Sequence, residues 1–366
     1  MKKSYVFLIS ATALIMLLAP MLHSQQKQVI RLAGETVLNL STQGDITIKK
    51  SQRNEVVLMS SDWDTEASDF FTIERRQNSI GLFLKSGRPP VDDLTLLVPD
   101  GLNLDLNSSF GDIRIEGDFK SEIRCKTSAG DISLRGYSTY LEAKTSGGDI
   151  DVKQVKGTAH LMTSGGDVNI GNVIRLTVSS LGGSIRVANV YGSAEIESSG
   201  GDIRVGDITG TAKIRTQGGE VRTGELKQAA EIYTGAGDVS VQSSQQSLKV
   251  ESGAGDIRVG LTAGYCSLRS NAGDISTTID RYKGISEGSG FHAAIGDVNL
   301  RFNPDQKITF RVKVSRMTEI FIGNDRYPIS FNKNQRQDTA VITMNGGGAT
   351  VDITCLTGTV RLRDVR

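Results

Sequence analysis

Thr145-Ser146-Gly147-Gly148-Asp149-Ile150-Asp151-Val152 returns one period later as Thr163-Ser164-Gly165-Gly166-Asp167-Val168-Asn169-Ile170. Equivalent positions fall at Asp112, Asp131, Asp149, Asp167, Ser184, Asp202, Glu220, Asp238, Asp256 and Asp274. Their spacing is nearly constant until a wider step leads to Asp297. A fixed period of roughly 20 residues is the signature of stacked units, each burying its apolar face only against its neighbours.

Alignment on the Asp, taken as position zero, separates inside from outside. Position +1 is always Ile or Val, from Ile113 to Ile275, and position +3 is nearly as apolar, with Thr223 and Thr277 as departures. Positions −6 and −8 are apolar as well: Leu106, Cys125, Ala143 and Leu161 begin one series, Leu104, Ile123, Leu141 and Ala159 the other. Both arms alternate with period 2, so each unit holds at least two β-strands with one face inward. The Gly-Gly-Asp turn joins them, with Gly read as supplying φ > 0 and Asp as capping the turn. A looser corner contains Gly157, Gly192 and Gly210, preceded by Val155, Val190 and Ile208, which implies a third short side. Helical periodicity is absent, and 41 glycines in 366 residues would be costly inside helices. The fold class is therefore all-β, a β-solenoid (β-helix) with about 18 residues per coil.

Outside the regular array the chain divides into further stretches. Residues 1–24 read as a signal peptide: Lys2 and Lys3, an apolar run from Tyr5 to Ala19, and a small residue at Ser24, with cleavage expected near Gln25. Residues 25–101 are a strand-rich cap with the first coils, including an early turn copy, Ser41-Thr42-Gln43-Gly44-Asp45-Ile46, and the only tryptophan, Trp63. The regular repeats occupy 102–300. Residues 301–366 carry C-terminal strands, an irregular insertion or side hairpin from Met317 to Gln337, and final coils in which Thr359 replaces Asp and Cys355 takes the Ser/Thr position.

Composition narrows function by exclusion. A net charge of +1 with no basic tail gives nothing for nucleic acid to bind. The three cysteines are Cys125, Cys266 and Cys355. Cys125 and Cys266 lie eight repeats apart, about 38 Å at roughly 4.8 Å per strand, far beyond the ~7 Å Cα separation of a disulfide. They fall on inward positions and read as small buried hydrophobes. With only His23, His160 and His292, a zinc site with His ligands or a Ser-His-Asp triad is poorly supported.

Repetition turns each polar position into a ladder. Position −4 is Ser or Thr without exception from Ser108 to Ser270, a column able to satisfy itself and the turn backbone. The Asp column resembles Ca²⁺-binding nonapeptide rolls but supplies a single Asp per coil and accepts Ser184, so turn capping is the expected role and no metal or other cofactor is expected. Position +2 carries Arg186, Arg204, Arg222 and Arg258, a candidate ligand-binding face for a polyanion. Asp202, Glu220 and Asp256 stand two residues earlier on the same side, and mutual neutralisation is the better reading. Position −7 alternates Glu195, Lys213, Glu231, Lys249, as cross-strand pairs should.

The Leu96-Leu97-Val98-Pro99-Asp100-Gly101-Leu102 stretch, the first Ser109-Phe110-Gly111-Asp112-Ile113 and the tandem Ser-Gly-Gly-Asp-Ile copies resemble the DUF4097 family of putative adhesins, related to the head domains of putative autotransporter adhesins. The resemblance spans residues 35 to 366 and implies an exported, right-handed β-helical protein with no assigned catalytic residues. The functional expectation is an exported, non-enzymatic, adhesin-like binding or scaffold protein in the periplasm, cell envelope or outside the cell. Its partner would be an envelope, glycan or protein component, with no nucleic acid and, once the signal is cleaved, no integral membrane domain. A polysaccharide lyase or hydrolase on the same scaffold and a self-assembling structural protein are the alternatives.

Overall fold

The computed structural model describes residues 26–60, 67–86, 91–315, 318–323, 329–333 and 338–365. The leader at 1–24 and Trp63 lie outside the described residues, as do parts of the Met317 to Gln337 segment. Within them, 32 strands and one helical turn, Ala67–Phe70, form a single parallel-dominated, 32-stranded sheet, an all-β, solenoid-like architecture.

The inward columns become continuous ladders. On one arm Ile113, Ile132, Ile150, Val168, Ile185, Ile203, Val221, Val239, Ile257, Ile275 and Val298 pair successively in parallel register. On the other, Leu106, Cys125, Ala143, Leu161 and Val178 begin an equivalent line that runs on to Leu268 and Phe291. Apart from Cys125, at 3%, these residues are at most 2% exposed, and each fully buried Leu, Ile or Val contributes about 1.5–3 kcal/mol of transfer free energy. Val155, Val173, Val190, Ile208 and Leu226 form the third inward line, with Val190, Ile208 and Leu226 bridged in parallel. The looser corner is thus a third side.

In the regular repeats the turn glycines work differently from the sequence reading. None of the glycines preceding Asp131, Asp149, Asp167 and Asp202 has φ in the left-handed region. They are needed for close approach: a Cβ on Gly166 would lie 2.0 Å from the Gly148 carbonyl oxygen of the preceding rung. The last copies of the turn do use φ > 0, at Gly273, Gly296 and Gly358, with φ of 155°, 137° and 142°, and left-handed backbone appears also at Asn345, Gly346 and Gly347, with φ of 49°, 82° and 84°. There the chain doubles back from Asp338–Met344 into the parallel strand Ala349–Thr357.

Both ends of the stack break chain order in the same way. Val37–Thr42 and Asp45–Ser51, the first rung in sequence, lie between the rung Ser79–Leu84/Asp93–Pro99 and the rung Asn103–Ser108/Ile113–Glu116. Ala349–Thr357 and Thr359–Asp364, the last rung in sequence, lie between Ser289–Ile295/Val298–Phe302 and Ile308–Val314/Glu319–Ile322. Antiparallel strands then cover the outer rungs. Phe71–Arg76 lies on Ser79–Leu84, Glu55–Ser60 on Asp93–Pro99 and Gln26–Arg31 on Glu55–Ser60. At the other end Asp338–Met344 lies on Ile308–Val314, and Ile329–Lys333 on Asp338–Met344 as the side hairpin.

All three cysteines are free and buried. Burial pushes the Cys266 thiol up to about 12, and burial, then the nearby Asp105 carboxylate, raises Cys125 further. A thiol reagent at neutral pH should therefore label none of them in the native protein and all of them after unfolding. Because the folded Cys266 thiol titrates above its ordinary 9.0, its share of stability is complete below that pH and lost as pH rises toward about 12. Thr223 and Thr277, the departures at position +3, are buried with hydroxyls that have no partner among the described residues. Replacing either with Val should raise stability by about 1 kcal/mol in denaturant titrations, because an unsatisfied buried hydroxyl is removed at nearly constant shape.

Candidate binding faces

The Gly-Gly-Asp edge is the most ordered polar feature of the molecule, and its groups are used in joining rungs. Asp131 Oδ1 accepts the Asp149 amide at 2.7 Å, Asp149 Oδ1 accepts the Asp167 amide at 2.7 Å, and Asp167 Oδ1 accepts the Ser184 amide at 2.8 Å. The same bond recurs at Asp45, Asp112, Asp202, Asp238, Asp256, Asp274 and Asp297. This corrects the turn-cap reading, since each carboxylate reaches the amide of the next rung rather than its own turn. Ser184 and Glu220 make no such bond.

The Ser/Thr column joins the same edge from inside. Thr145 accepts the Gly148 amide of its own turn at 3.2 Å and donates to the Gly130 carbonyl of the preceding rung at 2.9 Å. Thr163, Thr216 and Thr234 repeat both bonds. The hydroxyls therefore bond backbone, not one another. Cys355, standing where Ser or Thr stands elsewhere, directs its Sγ to the Gly296 carbonyl at 3.4 Å.

A second ladder, at the far corner, escapes the sequence reading. Asn189 donates to Asn172 at 3.1 Å, the Asp207 amide donates to Asn189 at 3.0 Å, and the Glu225 amide donates to Asp207 at 2.8 Å. Its sequence signal is the polar residue found five positions after each zero position at Asn172, Asn189, Asp207 and Glu225.

The candidate arginines lie as expected on one face. Arg186, Arg204 and Arg222 are successive rungs of one ladder, and Ser240 separates Arg222 from Arg258. Each has a carboxylate. Arg186 pairs with Asp167 at 3.1 Å, Arg204 with Asp202 at 3.0 Å, Arg222 with Glu220 at 2.7 Å, and Arg258 with Asp256 and, at 3.5 Å, with Asp238. Arg186, Arg204 and Arg222 border a shallow cleft of about 580 Å³ whose floor includes Gly171, Ala188 and Gly206, small residues at position +4. On the opposite arm Lys213 pairs with Glu195 at 2.9 Å, and that ion pair holds the Glu195 carboxyl below its ordinary value. Lys249 pairs with Glu251 at 3.0 Å, which raises the lysine.

Histidines are not gathered with nucleophiles or metal ligands. His160 packs on Tyr140 with ring centroids 5.8 Å apart. His292 is lowered by burial and by neighbouring Arg269, which favours its neutral form. His23 lies outside the described residues. Among the described residues, no group of three or more His, Cys, Asp or Glu side chains is arranged to hold a metal ion.

A stack of parallel β-rungs whose repeated polar groups are spent on inter-rung bonds defines a solenoid-like class of protein. The chain belongs to the DUF4097 family, described as Toastrack DUF4097, whose model matches residues 26–189 and again 172–363. The ladders run unbroken through the overlap of the two matches. Solved structures that resemble it include a putative lipid binding protein from Parabacteroides distasonis, 14% identical, covering 75% of this chain and 96% of that one with a TM-score of 0.31. A putative cell adhesion protein from Clostridium sporogenes is 10% identical over 93% of this chain and 100% of that one, with a TM-score of 0.17. A putative adhesin from Bacteroides fragilis is 13% identical over 94% and 98%, with a TM-score of 0.23. No curated protein matches the chain.

The Asp ladder makes a directional prediction. Asp149→Ala should cost about 1 kcal/mol, the worth of a hydrogen bond to a charged group discounted for exposure. Ser184→Asp should instead supply the Asp202 amide with a missing acceptor and raise the thermal midpoint. Equal effects of the two substitutions in calorimetry would contradict the inter-rung role.

Proposed function

We propose that this protein is an exported, non-enzymatic, adhesin-like binding or scaffold protein of the cell envelope, built as a right-handed β-solenoid whose coils follow the sequence period. The observation that carries the reading is the pairing of the outer faces. Asp, Ser, Thr and Arg side chains repeated along the chain are engaged in hydrogen bonds and ion pairs between and within rungs, so the repeat builds a rigid surface rather than a reactive centre. Exposed groups on such a surface are held in fixed positions by ladders on both sides, which lowers the ordering cost of binding. Export rests on Lys2, Lys3, the Tyr5 to Ala19 run and Ser24.

Expression of the full chain in a diderm bacterium, followed by fractionation and N-terminal sequencing, should recover the protein from the envelope or medium with a new N-terminus near Gln25. Cytoplasmic recovery with an intact leader would sink the export reading. Incubation with acidic polysaccharides should release no new reducing or unsaturated ends. Turnover of any of them would replace this reading with the enzymatic one.

A further inference from the structure

The Arg face does not end at Arg258. Two rungs further on, a cleft of about 470 Å³ is lined by Arg258, Arg301, Arg361 and Arg363, and no Asp or Glu is among its lining residues. Two adjacent columns build it. Arg258, Ser276, Asn299 and Arg361 are successive partners at position +2, and Thr278, Arg301 and Arg363 are successive partners two residues on. Rungs lie about 4.8 Å apart and residues two apart on a strand about 7 Å apart, so the guanidinium groups form a grid spanning four rungs.

Charge balance differs sharply between the columns. Arg361 is neutralised by Asp297 and Arg258 by Asp256 and Asp238. Arg301 and Arg363 are exposed, face each other across a single ladder step, and have no carboxylate within ion-pair distance among the described residues. Asp364, next in the chain to Arg363, alternates to the other side of its strand and is in register with Phe302. Like charges directly opposite on a sheet are destabilising, and nothing among the described residues relieves this pair. Ser276, Thr278 and Asn299, set between the arginines, make no side-chain hydrogen bond to the described residues, leaving neutral donors and acceptors facing the cleft. At the far end of the +2 column stands Phe321, 52% exposed, in register with Arg361, whose guanidinium lies 5.9 Å from the ring centroid.

We propose that this cleft binds a linear acidic polysaccharide bearing carboxylates, a polyuronate, with Arg301 and Arg363 as the pair that receives its carboxylate groups. The assignment rests on the reading of the protein as an envelope binding scaffold and names the site and ligand class within it. Guanidinium forks match carboxylates bidentately. Two uncompensated cations one rung apart, with hydroxyl and amide groups of Ser276, Thr278 and Asn299 on the rungs beside them, suit a chain carrying repeated carboxylates and hydroxyls.

The test uses the full mature chain and calorimetric titration with an oligogalacturonate. The parent should bind, with affinity falling as salt rises, and Arg301→Gln/Arg363→Gln should weaken binding on the order of tenfold or more, the loss of charge-assisted hydrogen bonds. Lys126→Gln, on the opposite arm, should leave affinity unchanged, and the double variant should melt no lower than the parent, because it removes a like-charge pair. Inorganic phosphate and vesicles of phosphatidylcholine with phosphatidylglycerol are run alongside. Equal affinity of parent and double variant overturns the site, and binding of vesicles or phosphate without the oligosaccharide overturns the ligand class. A parent that is found in the envelope but has no affinity for the oligosaccharide overturns this proposal alone, whereas cytoplasmic retention overturns the scaffold reading.

Discussion

The hydrogen bond from each Asp carboxylate to the amide of the following rung is the constraint that the turn edge obeys. Backbone ladders set the rung spacing at about 4.8 Å, and every group at the corner must fit it. Asp is short enough for Oδ1 to reach the next amide, as Asp131 does to Asp149 at 2.7 Å. Gly166 precedes its Asp because any Cβ would collide with the Gly148 carbonyl below. The hydroxyl at Thr163 joins the Gly166 amide of its own turn to the Gly148 carbonyl below. One spacing thereby selects three residue types, and the Gly-Gly-Asp motif is its imprint on the sequence.

A periodic stack has no internal reason to stop, and its last rung presents an open edge to any passing strand. The protein answers in the same way twice. Its first and last rungs in sequence are placed second from the end, hydrogen-bonded on both sides, and later or earlier segments are laid outside them. Fraying of either terminal rung must then break two parallel ladders instead of one. Antiparallel strands such as Glu55–Ser60 and Asp338–Met344 finish the job, because reversing direction interrupts the register on which the stack propagates.

The interior is legible in the sequence and the edges less so, for a physical reason. Period-2 alternation records burial directly, so residue type alone locates the columns through Ile150 and Leu161, and so too the third side at Val155, Val190 and Ile208. A polar residue type says that a partner exists without saying which. Residue type makes Asp149 a cap of its own turn, whereas its acceptor serves the next rung, and makes Gly148 a left-handed residue, whereas its need is clearance. The intercalated ends are illegible because the pairing of Leu38 with both Ile80 and Leu104 depends on a choice between distant segments, not on any local pattern. The arginine column lies where the period places it at Arg186, Arg204, Arg222 and Arg258, but a period followed only through the regular repeats stops before Arg361.

Repetition also bears on where function can reside. When rungs are alike, each cation at position +2 finds the carboxylate of its own or a neighbouring rung, and the outer face carries little uncompensated field, as from Arg186 to Arg222. Position +4 holds small residues at Gly171, Ala188, Gly206, Gly224 and Gly260, which makes a trough beside Arg186, Arg204 and Arg222, whereas Arg135 and Lys153 hold that position in earlier rungs. After the loosened period the pattern changes: Thr359 replaces the acid, leaving Arg361 to draw on Asp297 of the rung before, and position +4 is arginine in two successive rungs, at Arg301 and Arg363. At Arg301 and Arg363 surplus charge thus coincides with a break in the repeat, and the backbone ladder holds the two side chains' points of attachment one rung apart.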